Sequence, residues 1–177
     1  FQVFHDRIGA AQELMGDAAV WGNVEINGAN VVRLPDAAGL PRALWAGAGA
    51  PPALPTLPLD TWRWLELHSG VPVIEAATVE QFVPQMLNFE LIGGVNFQKG
   101  CYPGQEVVAR SQYRGTTKRR MFLFDVDAPA AAGQEVFHSA DPGQPAGMVV
   151  NAAPRPGQTG CSALVEVKLA ALEGGLL

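Results

Sequence analysis

Four prolines at positions 51, 52, 55 and 58 exclude a regular helix or an interior strand from Ala48 to Pro58. Each proline lacks the N–H that a helix or ladder needs, and each pushes the residue before it away from helical geometry. The stretch is expected to be an extended linker, with regular elements built on either side of it. Glycine and proline punctuate much of the remainder, at 20 and 14 residues, as in Asp141-Pro142-Gly143. Elements in such a chain are short and separated by turns.

Before the linker, Phe1 to Phe4 is apolar enough for a short strand. Ile8, Ala11, Leu14 and Met15 have helical spacing and predict a helix over Arg7 to Met15, ended by Gly16. Val20 to Ile26 and Asn30 to Leu34 read as strands around the hairpin dipeptide Asn27-Gly28. A turn-rich connection from Pro35 to Pro41 leads to a third strand at Arg42 to Ala46. The mixture predicts an α+β layer, a sheet with a helix on one face.

After the linker, Asp60 can N-cap a helix over Thr61 to His68 that Gly70 ends. It carries Trp62, Trp64, Leu65 and His68, and two tryptophans on one helix are commonly core residues. Pro84 interrupts Thr78 to Leu87 and leaves at most a short helical turn there. Gln85, Asn88 and Glu90 follow as polar neighbours of the next stretch, and Gly93-Gly94 marks a sharp turn. Arg119 to Val126, Gln134 to His138, Ala146 to Asn151 and Ser162 to Lys168 read as short strands, a spacing that predicts a small antiparallel β-barrel. The expected domains are residues 1–115 and 116–177.

The chemistry centres on Lys99-Gly100-Cys101-Tyr102-Pro103-Gly104-Gln105-Glu106. Val107 to Gln112 read as a helix that starts just after it, with Gly115 as a stop and Pro103 suited to its first turn. A thiol ahead of a helix N-terminus, with a lysine ammonium nearby, is expected to favour the thiolate. The competing reading is a buried structural cysteine. Cys161, at a strand edge without a basic neighbour, is expected to be structural. Two cysteines so far apart indicate neither a disulfide framework nor a zinc site, and a reducing cytoplasm or organelle matrix is the simpler setting. No run of eighteen apolar residues or signal peptide is present in the sequence, which supports neither membrane spanning nor secretion. The net charge of −5 argues against a general nucleic-acid binder.

The flanking residues carry further information. Gly70-Val71-Pro72-Val73-Ile74, Gln81-Phe82-Val83-Pro84-Gln85 and Gly93-Gly94-Val95-Asn96-Phe97-Gln98 lead into Cys101; Arg110, Tyr113-Arg114-Gly115 and Lys118-Arg119-Arg120 follow it. This string, from about Trp62 to Arg120, closely resembles the YgfZ family of folate-binding proteins. These are relatives of the glycine-cleavage T-protein, an aminomethyltransferase, and are linked to iron–sulfur cluster maintenance. The resemblance implies an aminomethyltransferase-like folate-binding layer followed by a C-terminal β-barrel. It also implies that the half-domain with which longer family members begin is missing, so that the chain looks like a C-terminal portion.

On that resemblance Trp62 contacts tetrahydrofolate, an indole against a flat ring being favourable. Lys99 tunes the thiol and Cys101 is the reactive group. Gly100 and Gly104 allow close backbone approach, and Tyr102, Gln105 and Glu106 orient the loop. The family's usual glutamate before the Val/Ile-Pro pair is replaced here, where the chain reads His68-Ser69-Gly70. A titratable imidazole in the pocket and a solvated last-turn histidine both remain open.

Arg110, Arg114, Lys118, Arg119 and Arg120 form a basic run in an acidic chain. It reads either as a solvated face or as an anion site for the glutamate tail of a folate, since arginine forks suit carboxylates. Glu106 and Arg110, four apart, can also simply pair. The functional expectation is a tetrahydrofolate-binding accessory protein that assists iron–sulfur cluster assembly or repair. Its partners are then folate, cluster-assembly proteins or client enzymes, with neither membrane nor nucleic acid expected. A lone cysteine supplies one ligand where a cluster normally takes four, so any cluster contact is transient or shared. A folate-dependent aminomethyl- or methyltransferase is the alternative, and a scaffold with a vestigial pocket a third. No metal site is expected.

Overall fold

The structure, a computed structural model, describes residues 2–5, 14–48, 51, 53, 55–113, 115 and 117–172. By its own contacts the chain divides into two compact units, Phe1–Ser69 and Gly70–Leu177. The boundary expected at 115/116 lies inside the second unit. Most of the helix expected over Arg7 to Met15, and Arg114, fall outside the described residues.

In the first unit, strands β1 (Gln2–His5), β2 (Asn23–Ile26), β3 (Ala29–Ala37) and β4 (Leu40–Ala46) form an antiparallel sheet in the order β1-β4-β3-β2. The Asn27-Gly28 hairpin is as expected. Ile26 pairs with Ala29 across two residues at φ 51° and 77°, the left-handed pair that matches the twist of flanking strands. A second hairpin turn at Ala38-Gly39 extends β3 into the connection expected from Pro35 to Pro41, with a bulge between Leu34 and Ala37. One face buries Ala29, Val31, Ala43 and Trp45 together with Met15.

Helix α1 (Leu59–His68) starts one residue before Asp60. Pro58 occupies the N-cap position, with no side-chain cap bond, and Asp60 sits in the first turn instead. There its charge still favours the helix dipole. The buried residues of α1 are Leu65 and Leu67; Trp62 and Trp64 are half-buried, and the Trp64 ring lies 4.0 Å from that of His68. Glu66 of α1 pairs with the buried guanidinium of Arg42 on β4. Burial pushes the Arg42 guanidinium below its ordinary arginine value, and the Glu66 charge and hydrogen bond work against that shift.

In the second unit, β5 (Arg119–Val126), β6 (Glu135–His138), β7 (Asp141–Pro154) and β8 (Cys161–Lys168) form an antiparallel sheet in the order β5-β8-β7-β6. All four expected strands are present. The expected barrel is not, because no pairing of β5 with β6 closes the sheet among the described residues. The α+β class stands, with open sheets in place of a closed one.

Strand β8 lies at the centre and is buried from Cys161 to Val167. One face packs Ala163, Val165 and Val167 against Val149. On the other face Ser162 Oγ donates to Asp125 Oδ1 at 2.6 Å, and Glu166 pairs with Arg119. Helix α2 (Gln105–Tyr113) and 3₁₀ turns at Ala76–Thr78, Pro84–Leu87 and Leu169–Ala171 complete the unit among the described residues.

Candidate functional site

The stretch from Asn96 to Gln105 is shaped by its own side chains. Asn96 Oδ1 accepts the N–H groups of Gln98 at 2.8 Å and Lys99 at 3.2 Å, an Asx turn that bends the chain. The Lys99 ammonium lies 5.0 Å from the centroid of the Tyr102 ring, a cation–π contact. Tyr102 N–H donates to Gln105 Oε1, and Gln105 N–H donates back to the Tyr102 carbonyl, each at 3.2 Å. This reciprocal pair does the work of a capping box ahead of α2. Gly104 lies between them at φ 79°, where a side chain is strained. Pro103 is therefore in the turn before α2, not in its first helical turn.

The glycines differ in what they require. A Cβ on Gly100 meets nothing within 4 Å, so no neighbour within the protein demands a glycine there. Glu106 sits in the exposed first turn of α2, and its carboxylate oxygen Oε1 accepts a hydrogen bond from Arg110 Nη2 at 2.8 Å, the expected four-residue pair. Cys101 is exposed, and Cys161 is buried with Sγ 3.2 Å from the Ala128 carbonyl, as a structural thiol.

Beside this loop lies a cleft of about 380 Å³. Its walls are apolar: Ile74, Phe82, Pro84, Leu87, Phe89, Val95 and Val108. Asn96, Lys99 and Tyr102 supply the polar rim, whereas Cys101 is not among the lining residues. Gly94 shapes one side, because a Cβ there would lie 2.6 Å from the Phe89 ring. The structure thus brings Lys99 and Tyr102 to one cavity. Gly100, Cys101, Gly104, Gln105 and Glu106 build or follow the loop beside it.

Polar residues hold the cleft walls in place. Gln85, 1% exposed, donates from Nε2 to the Val108 carbonyl at 2.7 Å and fixes the 3₁₀ turn to α2. Asn88 Nδ2 donates to the Met121 carbonyl of β5 at 2.8 Å. Asn151 on β7 bonds both backbone groups of Val73. Sequence reasoning missed Asn151, Phe82 and Phe89; the signal for Asn151 was one amide inside the apolar run Val149-Val150-Asn151-Ala152.

The basic run divides. Arg119 makes a two-point pair with buried Glu166, Arg120 pairs with Glu90 and donates to the Gln85 carbonyl at 3.0 Å, and Arg110 pairs with Glu106. Hydrogen bonding to Glu166 raises the Arg119 guanidinium above its ordinary value. Arg119 and Arg120 therefore serve structure through buried partners, whereas Arg110 makes only an exposed surface pair and Lys118 is exposed.

An apolar cleft with one cationic and one amide group on its rim is the architecture of a small-molecule pocket. No family model matches the chain. Over 73 residues, 41% of its length, it is 51% identical to the tRNA-modifying protein YgfZ of Colwellia psychrerythraea (strain 34H). The matched stretch covers 22% of that protein's length. Over that stretch the chain is a partial homologue of a YgfZ protein. No helix among the described residues is long and apolar enough to cross a membrane.

Proposed function

We propose that this chain is part of a YgfZ-type folate-binding protein, and that the cleft beside the Asn96–Tyr102 loop receives the flat ring system of a tetrahydrofolate. The observation that carries the reading is the coincidence of the family-like Lys99-to-Glu106 stretch with an apolar, aromatic-walled cleft. At about 380 Å³ the cleft falls near the lower end of ligand pockets, roughly 300–1,000 Å³, a fit for a ring system more than for a whole folate. Phe82, Phe89 and Tyr102 offer aromatic surface, Asn96 offers an amide to ring nitrogens, and the Lys99 ammonium suits a carboxylate. When bound, the folate supplies one-carbon chemistry. The chain's own residues enclose it, exclude water and hold Cys101 at the neighbouring loop.

The relative's name places it in tRNA modification, and we infer the same process for this chain, with folate and not tRNA as its direct ligand. A net charge of −5 and the pairing of Arg119 and Arg120 with largely buried glutamates favour that division. Support of iron–sulfur clusters and kinship with the aminomethyltransferases remain part of the proposal on the resemblance alone; Trp62 belongs to the first unit and is not among the residues that line the cleft. Titration with tetrahydrofolate, followed by calorimetry, tests it. Saturable binding that Phe89→Ala and Tyr102→Ala weaken is the expected result. Turnover of a methylamine-type donor would move the reading to the transferases, and absence of folate binding would end it.

A further inference from the structure

Asn151 is one of few polar side chains buried among the described residues of the second unit, 7% exposed, in the apolar C-terminal half of β7. It sits where the ladder slips. Val149 pairs with Val165 and Asn151 with Leu164, so Val150 is an extra residue and β7 bulges. Bulges re-aim side chains. Here the amide reaches the segment after Gly70, 78 residues away in sequence.

The amide makes three hydrogen bonds there. Oδ1 accepts Val73 N–H at 2.9 Å, and Nδ2 donates to the Val73 carbonyl and to Glu75 Oε1, both at 2.8 Å. Residues 71–75 belong to no strand, and Pro72 has no N–H to offer. The side chain thus stands in for a rung of a β-ladder. Between the two residues it holds lies Ile74, which lines the cleft.

We propose that Asn151 is the positioning residue of this cleft: it fixes the Ile74 wall and thereby sets how tightly the cleft holds its ligand. The inference rests on the reading of the cleft as a ligand site. With the amide removed, Val73 loses both of the side-chain bonds that Asn151 gives its backbone while Glu75 stays tied to Thr78, so the wall at Ile74 is formed in only a fraction of molecules. Apparent affinity falls in proportion to that fraction, about tenfold if a tenth of molecules keep the wall.

The test compares wild type, Asn151→Ala, Asn151→Asp and the double variant Asn151→Asp/Glu75→Gln. Tetrahydrofolate and, separately, the apolar dye anilinonaphthalene sulfonate are titrated against each. Asn151→Asp sets a carboxylate against Glu75 and removes the donor to Val73. The double variant removes the repulsion and restores a hydrogen bond between positions 151 and 75.

The expected result is an affinity loss of about tenfold in both single variants, partly recovered in the double variant. Amide exchange is expected to rise at Val73 and stay unchanged in β8. Unchanged affinity in folded Asn151→Ala, whatever its melting temperature, overturns the inference. So does failure of both probes to bind wild type. If the dye binds wild type and folate does not, the folate reading fails, and the dye affinities alone decide the role of Asn151.

Discussion

Cys101 is exposed and Cys161 buried, a difference that alkylation reads directly. Iodoacetamide is expected to label Cys101 in the native protein and Cys161 only after denaturation, as peptide mass spectrometry would show. Equal labelling of both in the folded chain would contradict the placement. Two glycines in the same loop make a matched pair. Gly104 has φ 79°, so Gly104→Ala is expected to cost about 1–2 kcal/mol, the penalty of a left-handed non-glycine residue. Gly100 has open space around it and no left-handed φ, and Gly100→Ala is expected to stay within about 0.5 kcal/mol in urea titrations. The tryptophans can be separated in the same way. Trp64→Ala removes the ring contact with His68 and is expected to lower stability in urea titrations by more than Trp62→Ala does. The reverse pattern would exchange their roles. Local chemistry of this kind was legible in the sequence: the loop, its helix and the Glu106–Arg110 pair all follow from residues within a few positions of one another.

Among the elements, β5 and β8 are joined by more than their ladder. Arg119 of β5 meets Glu166 of β8, whose side chain is 3% exposed. Removal of the guanidinium leaves a buried charge unpaired, so Arg119→Ala is expected to destabilise by about 3–5 kcal/mol. Arg119→Met/Glu166→Leu, which removes both charges, is expected to recover most of that loss in chemical denaturation. The raised Arg119 value means that its contribution is complete below the ordinary arginine range and is lost only in strong alkali. Stability is therefore flat through neutral pH on this residue's account. The strands themselves were legible from apolar runs between turns. Closure of the second sheet was not, because strand spacing says nothing of which edges pair. The ties that hold the cleft were equally hidden: Gln85, Asn88 and Asn151 find partners 23, 33 and 78 residues away.

At the scale of the whole molecule, a net charge of −5 coexists with a basic run whose arginines are largely neutralised in place. A folate tail would then be felt by Lys118 and Arg114, the latter outside the described residues. Lys118→Ala and Arg114→Ala are expected to flatten any gain in affinity from mono- to triglutamate folate. Arg120→Ala is expected to lower the melting temperature and leave that gain intact; the opposite result would return the cluster as a unit to ligand binding. Sheet order has one more consequence. β5 is synthesised before β6 and β7 yet pairs with neither, since its ladder partner is β8. A ribosome therefore releases Phe122 and Leu123, part-exposed even in the finished fold, well before the strand that will shelter β5 exists. Throughout that interval the edges of β5 are unpaired, and an unpaired strand edge is a template on which another nascent chain can pair until β8 emerges.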